Sequence, residues 1–207
     1  FNVQTLAGDE VQSGDIQDGL GTNARFRSIN GMTADSSGNI YVSDAWYIRK
    51  ITPGGLVSTL AGSTYGWVDG QGSSAQLHSP YGMTFNNSNN TIYFCDTGCI
   101  RSCDASGNVA LVAGNYSGNL GHSDGTGGTA KFVGPYSITI DSTGKLYIGD
   151  YDTIRMCTGN VVTTIAGTAG VTGHRDGGSQ AATYSYPRAI AFDSNGYAYV
   201  SSGTCIR

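Results

Sequence analysis

Histidine, cysteine and recurrent aspartate are the residues of this chain whose types could do chemistry, and their spacing argues against it. The 3 His are scattered. His122 and His174 each stand two residues before an Asp-Gly pair, at a position that holds Trp67 and Ile16 elsewhere, so the position selects bulk and not a ligand. His78 has no counterpart. Asp18-Gly19, Asp69-Gly70, Asp124-Gly125 and Asp176-Gly177 recur too regularly for catalysis, and an Asx-turn role is expected of their aspartates. The 5 Cys contain no pair of Cys-x-x-Cys motifs, so no thiolate metal site is expected, and no cofactor. Cys95 and Cys99 flank a short hairpin loop, read as three residues long, and are disulfide candidates across it. Cys103 and Cys157 share the position of Ile51 and read as buried apolar filler, while Cys205 aligns with Cys99.

Residues that could bind are easier to find. Trp46, Tyr47, Tyr65, Trp67, Tyr116 and Tyr151 fall in the longer loops, where aromatic rings stack on sugars or anchor a protein partner. Asn30, Tyr81, Tyr136 and Arg188 share one repeat position, expected at the mouth of a central channel. Asn86, Asn89 and Asn115 head N-glycosylation sequons, all in expected turns or loops.

These positions are set by an internal repeat. Thr5-Leu6-Ala7-Gly8 returns as Thr59-Leu60-Ala61-Gly62, Leu111-Val112-Ala113-Gly114 and Thr164-Ile165-Ala166-Gly167. After each Asp-Gly pair comes Ala-x-large apolar, ending at Phe26, Leu77, Phe132 and Tyr184. Pro80, Pro135 and Pro187 share one position with Ile29. Ile-Arg closes each unit at Ile48, Ile100, Ile154 and Ile206, a period of about fifty residues that suits a propeller blade. Within the first unit, strands are expected over 31–34, 39–43, 47–51 and 56–60, separated by Asp35-Ser36-Ser37-Gly38 and Pro53-Gly54-Gly55 turns. The fold class is therefore all-β: a β-propeller of four-stranded antiparallel blades, with four repeats in this chain. The single domain divides into a closing strand at 1–8 and blades at about 9–62, 63–114, 115–167 and 168–207. The chain opens in a fourth strand, 2–6, and ends in a third, so the N-terminal strand is expected to complete a blade. Three arrangements fit: a closed four-blade ring, part of a larger propeller, or a protomer that completes a neighbour's blade and so self-assembles.

The units resemble the NHL repeat, through Thr-Leu-Ala-Gly, Asp-Gly, Ala-x-Phe, Asp35-x-x-Gly38-Asn39-x-Tyr41-Val42-x-Asp44, Ile48-Arg49-Lys50-Ile51 and Pro53-x-Gly. The resemblance covers the whole chain, but the Asn-His pair behind the family's name is missing, and Ser202 stands where Asp44, Asp96 and Asp150 recur. NHL-like propellers commonly have about six blades, and some related lyases hold zinc through channel histidines. None of the 3 His here lies on an expected innermost strand.

Charged residues are 13% of the chain and the net charge is -4, which leaves no surface to neutralise phosphates, so nucleic acid is not an expected partner. No apolar run reaches the roughly 18 residues of a membrane span, so no membrane insertion is expected. The expected function is a non-enzymatic extracellular or cell-surface module that binds protein or glycan, with a structural filament component as one form of it. The alternatives are a lyase or ester hydrolase working in a channel, and the sensor domain of a larger receptor.

Overall fold

A computed structural model describes residues 2–9, 14–116 and 118–207. The chain is all-β, and its antiparallel sheets are the blades of a β-propeller. The first sheet runs Ile29–Ala34, Ile40–Asp44, Tyr47–Ile51 and Leu56–Ala61. The second has Met83–Asn86, Thr91–Asp96, Cys99–Asp104 and Asn108–Gly114, and the third has Pro135–Ile140, Leu146–Asp150, Thr153–Thr158 and Val161–Ala166. The fourth has three strands, Pro187–Phe192, Ala198–Ser202 and Cys205–Ile206. Residues 2–7 carry no strand, and Val3 is 92% exposed, so the N-terminal strand expected there is not formed as one. Those residues instead lie along the first blade: the Gly8 N–H donates to the Gly21 carbonyl at 3.2 Å, as Gly62 does to Gly72 at 3.1 Å.

Each of the first three sheets has a fifth strand that the repeat did not announce. Gly19–Leu20, Gly70–Gln71 and Gly125–Thr126 each pair with the fourth strand of their sheet and then enter a 3-10 turn. The Asp-Gly pair is thus the entry to a strand. Asx turns do occur, at the other recurrent aspartate. Asp35 accepts the Ser37 and Asn39 N–H groups at 2.9 Å, and Asp104, Asp141 and Asp193 repeat the geometry. Burial works against the charge on Asp35, yet hydrogen bonds from Asn39, Tyr41 and Ser37 hold its carboxyl below the usual range.

In the first three blades the arginine of the Ile-Arg pair is wholly buried. Arg49 is wholly buried and gives its two terminal nitrogens to Asp44 at 2.9 Å and Asp18 at 2.8 Å. The same nitrogens reach the Arg25 and Gln17 carbonyls, and the guanidinium lies 5.2 Å from the centre of the Phe26 ring. Asp18 then accepts from the N–H and hydroxyl of Thr59 on the fourth strand. Arg155 repeats this with Asp150, Asp124, the Lys131 and Ser123 carbonyls and Phe132. One side chain therefore ties together the Asp-Gly, Ala-x-Phe, Tyr-Val-x-Asp and Ile-Arg motifs, which explains why they recur together. Around it, Ala24, Val42, Ile51 and Val57 form an apolar core in the first blade.

Close contacts divide the chain into two compact units. One comprises residues up to Ile92 with Cys103–Ala110; the other comprises Tyr93–Ser102 with Leu111 onward. Within the first unit, Tyr41 stacks on Phe85 with ring centres 5.3 Å apart, and Ser43 Oγ donates to the Tyr81 carbonyl at 3.0 Å. Within the second, Tyr147 meets Phe192 edge-on at 4.8 Å and Ser137 Oγ donates to the Pro187 carbonyl at 3.0 Å. No helix among the described residues is long and apolar enough to cross a membrane.

Candidate functional site

The expected mouth residues sit at a backbone irregularity that gives them their direction. The first strand slips register against the second between Ile29 and Gly31, between Pro135 and Ser137, and between Pro187 and Ala189. Asn30, Tyr136 and Arg188 are the bulged residues, and a bulge turns its side chain out of the normal alternation. Asn30 is tied down, its Nδ2 donating to the Pro80 carbonyl at 3.2 Å. Tyr81 precedes its strand, and its carbonyl is the acceptor for Ser43. Arg188 is exposed, and its guanidinium makes no hydrogen bond or ion pair with any described residue.

In the second unit two more tyrosines extend this group. Tyr151 is a turn residue with φ 55°, and Tyr186 has φ 50° although it precedes Pro187. Bulky residues rarely occupy this left-handed region, and a following proline favours extended backbone. The two are locked by the Tyr186 N–H donating to the Tyr151 carbonyl at 2.8 Å, by hydroxyls 3.3 Å apart and by rings packed edge-on at 4.9 Å. The Tyr186 hydroxyl beside it raises the Tyr151 pKa. Tyr186, Arg188, Ser201 and Gly203 line a cavity of about 330 Å³. Tyr186 was missed in the sequence, though a signal existed: Ser28, Ser79 and Gly134, all small, hold the equivalent position before the aligned residue.

The loop aromatics divide. In the first unit Trp46, Tyr65 and Trp67 gather with His78, which stacks on Trp67 at 4.1 Å and shares a hydrogen bond with the Tyr65 hydroxyl. Arg27 lies 4.8 Å over Trp46. Tyr65 is 55% exposed, so the cluster is open to solvent. Arg27 and His78 join this group unannounced by the repeat. Tyr47 stays in its strand opposite Asp44, and Tyr116 lies under Arg101 at 5.2 Å. His122 Nε2 shares a hydrogen bond with Asp152 Oδ1 at 2.7 Å; Asp152 is wholly buried, while the His122 ring is 22% exposed.

The disulfide between Cys95 and Cys99 is not formed: both remain thiols, and both are wholly buried. The loop between their strands holds two residues, not three, with Gly98 at φ 74°. Cys95 and Cys99 therefore take the positions of Ser43 and Tyr47, which pair with Ile48 and Asp44. That one-residue offset sends the two side chains to opposite faces of the sheet. Burial, then the Asp150 and Cys99 charges, push the Cys95 thiol well up, and burial raises Cys157 to about 11. Cys103 and Cys157 are buried filler, as their position suggested.

Of the sequons, Asn89 is exposed in the turn after Met83–Asn86. Asn86 is half-buried and its Oδ1 accepts the Ser88 N–H at 2.9 Å, while Asn115 is half-buried.

A β-propeller with two solvent-facing aromatic clusters is the class that these features define. No protein-family profile matches the sequence. Teneurin-1 from Gallus gallus is 31% identical over 120 residues, which is 54% of this chain and 4% of that protein. The chain thus spans a small fraction of the curated relative it matches. A protein of unknown function from Bacteroides thetaiotaomicron aligns with a TM-score of 0.72 and 21% identity, over 86% of this chain and 46% of that one. An auxiliary nutrient binding protein from Bacteroides ovatus aligns with a TM-score of 0.67 and 20% identity, over the same 86% and 46%. A virginiamycin B lyase from Staphylococcus aureus also aligns, at 0.52 and 14% over 88% of this chain and 51% of that one, so the fold alone does not separate binder from enzyme.

Proposed function

We propose that the chain is an extracellular, NHL-like binding module without catalytic activity, whose first-unit cluster docks a partner protein. The observation that carries this is the open cluster of Trp46, Tyr65, Trp67 and His78 under Arg27. Rings and guanidinium groups of this kind dominate the energetics of protein interfaces, and they lie on loops braced by buried Arg–Asp pairs. The nutrient binding neighbour and the teneurin relative support the reading.

The test is affinity capture from the extracellular material of the source, with the intact chain as bait against a Trp46→Ala/Tyr65→Ala variant. A specific protein retained by the first and lost by the second supports the reading; equal capture by both overturns it. The sugar acceptor sites have their own test. Expressed through a eukaryotic secretory pathway, the chain should exceed its bare 21.5 kDa, with the sugar on Asn89, the more exposed of Asn86 and Asn89. A bare mass would refute glycosylation at these sites.

A further inference from the structure

We propose that Tyr136, Tyr151, Tyr186 and Arg188 form a second binding site in the other unit, for a saccharide that bears a carboxylate. Four observations converge on it. Arg188 is an exposed guanidinium with no partner among the described residues, in a chain of net charge -4 whose buried arginines are committed to aspartates. It stands on a β-bulge, as does Tyr136, so both side chains are aimed by backbone geometry that the first blade also has. Tyr151 and Tyr186 hold left-handed conformations side by side, and non-glycine strain of this kind persists where the surroundings enforce it, commonly at ligand clamps. Tyr186 and Arg188 line a cavity of about 330 Å³ together with Ser201 and Gly203.

The chemistry of these groups selects the ligand. A free guanidinium offers a planar fork that fits a carboxylate with two parallel hydrogen bonds. The phenol hydroxyls and the Ser201 hydroxyl both donate and accept, which matches the hydroxyl groups of a sugar. The tyrosine rings offer apolar edges and faces to its C–H groups. The cavity stands at the small end of the range for small-molecule sites, which suits one or two sugar rings and not a folded protein surface. This site deepens the binding reading with a ligand class, but it shares no residue with the Trp46 cluster.

The experiment is a titration of the intact chain at low salt with sodium glucuronate, glucose, sodium acetate and a short peptide with a free C-terminus, followed by NMR. Glucuronate is expected to saturate, with glucose, acetate and peptide each at least tenfold weaker. Arg188→Gln should weaken glucuronate by about tenfold, the worth of a charged hydrogen bond, and leave the melting temperature unchanged because the side chain is exposed. Tyr186→Gly removes both ring and strain; it should lose the same binding while folding normally. No saturation by glucuronate overturns the proposal, as does glucose or peptide binding equally well, or an unaltered affinity in Arg188→Gln. Each of those results leaves capture by the Trp46 cluster untouched, so the two readings fail separately.

Discussion

At the scale of the residue, the most informative side chain is the arginine that closes each repeat. Isolated, a buried guanidinium is costly; here Arg49 is neutralised by Asp44, which is equally buried, and by Asp18, which is 50% exposed. The two carboxylates should therefore matter unequally. Arg49→Met strands the buried Asp44 charge and should cost about 3–5 kcal/mol. Asp18→Asn keeps a side chain able to accept from Thr59 and leaves the inner pair intact, so it should cost about 1 kcal/mol or less, as partly exposed pairs do. Urea denaturation of the two variants reads both numbers, and equal losses would show that the outer carboxylate is as essential as the inner. The repeat made Asp18 and Arg49 visible as recurrent positions, but not as partners. They lie 31 residues apart in sequence, and the usual local role of an aspartate before glycine is a turn. The same limit hid the Cys95–Cys99 offset: both residues flank a loop, and one residue of loop length decides which face each occupies.

At the scale of the element, a small-residue pair in the first and in the third blade meets the backbone of the blade that follows it. In the first blade, Gly31 on the first strand lies opposite Ser43 on the second, and Ser43 hydrogen-bonds the Tyr81 carbonyl of the next blade. In the third blade the two residues are exchanged: Ser137 lies opposite Gly149, and Ser137 reaches the Pro187 carbonyl. A Cβ on Gly31 would run into the Tyr81 carbonyl, and one on Gly149 into the Pro187 carbonyl, so one member of each pair must be glycine while the other supplies the hydroxyl. Gly31→Ser alone should cost about 1–3 kcal/mol through overpacking. Gly31→Ser with Ser43→Gly reproduces the third blade's arrangement and should recover most of that loss, seen as a melting temperature near that of the unaltered chain. If the double variant were as unstable as the sum of its parts, the exchange between blades would be a coincidence of sequence and not one packing solution reached twice. The strands themselves were legible, because apolar periodicity and Asp-x-x-Gly turns act locally: strands expected at 31–34, 39–43, 47–51 and 56–60 formed within two residues at each boundary. The short edge strands Gly19–Leu20, Gly70–Gln71 and Gly125–Thr126 were not, since two residues carry no periodicity and are fixed only by the fourth strand they meet. The bulges were equally hidden, yet they are what makes Asn30, Tyr136 and Arg188 a set.

At the scale of the whole molecule, stability is coupled to pH through its few charges. The carboxyls of Asp18, Asp35, Asp104, Asp124, Asp141 and Asp193 all lie below the ordinary aspartate value. A group whose pKa is lower folded than unfolded contributes its full stability above the unfolded value and loses it as pH falls through the folded one. Asp150 runs the other way: burial raises its pKa against the hydrogen bonds of Gly134 and the charge of Arg155, so its contribution is present in acid and lost as pH rises. Six depressed carboxyls oppose one raised, and acid should destabilise the fold. At the alkaline end, burial and the Asp35 carboxylate push the Tyr41 hydroxyl to about 12, so its contribution holds below the ordinary tyrosine value and is lost as pH rises through about 12. Melting temperature should therefore form a plateau from about pH 5 to 9 and fall below about pH 4 and above about pH 10. The acid limb has a specific origin that a variant can expose. Asp18→Asn with Asp124→Asn removes two of the depressed carboxyls while leaving Asp44 and Asp150 on their arginines, so this variant should start from a lower plateau and fall less steeply below pH 4. A melting temperature that stays level from pH 7 to about 3 would show that these aspartates keep ordinary pKa values and that their hydrogen bonds do not favour the charged form.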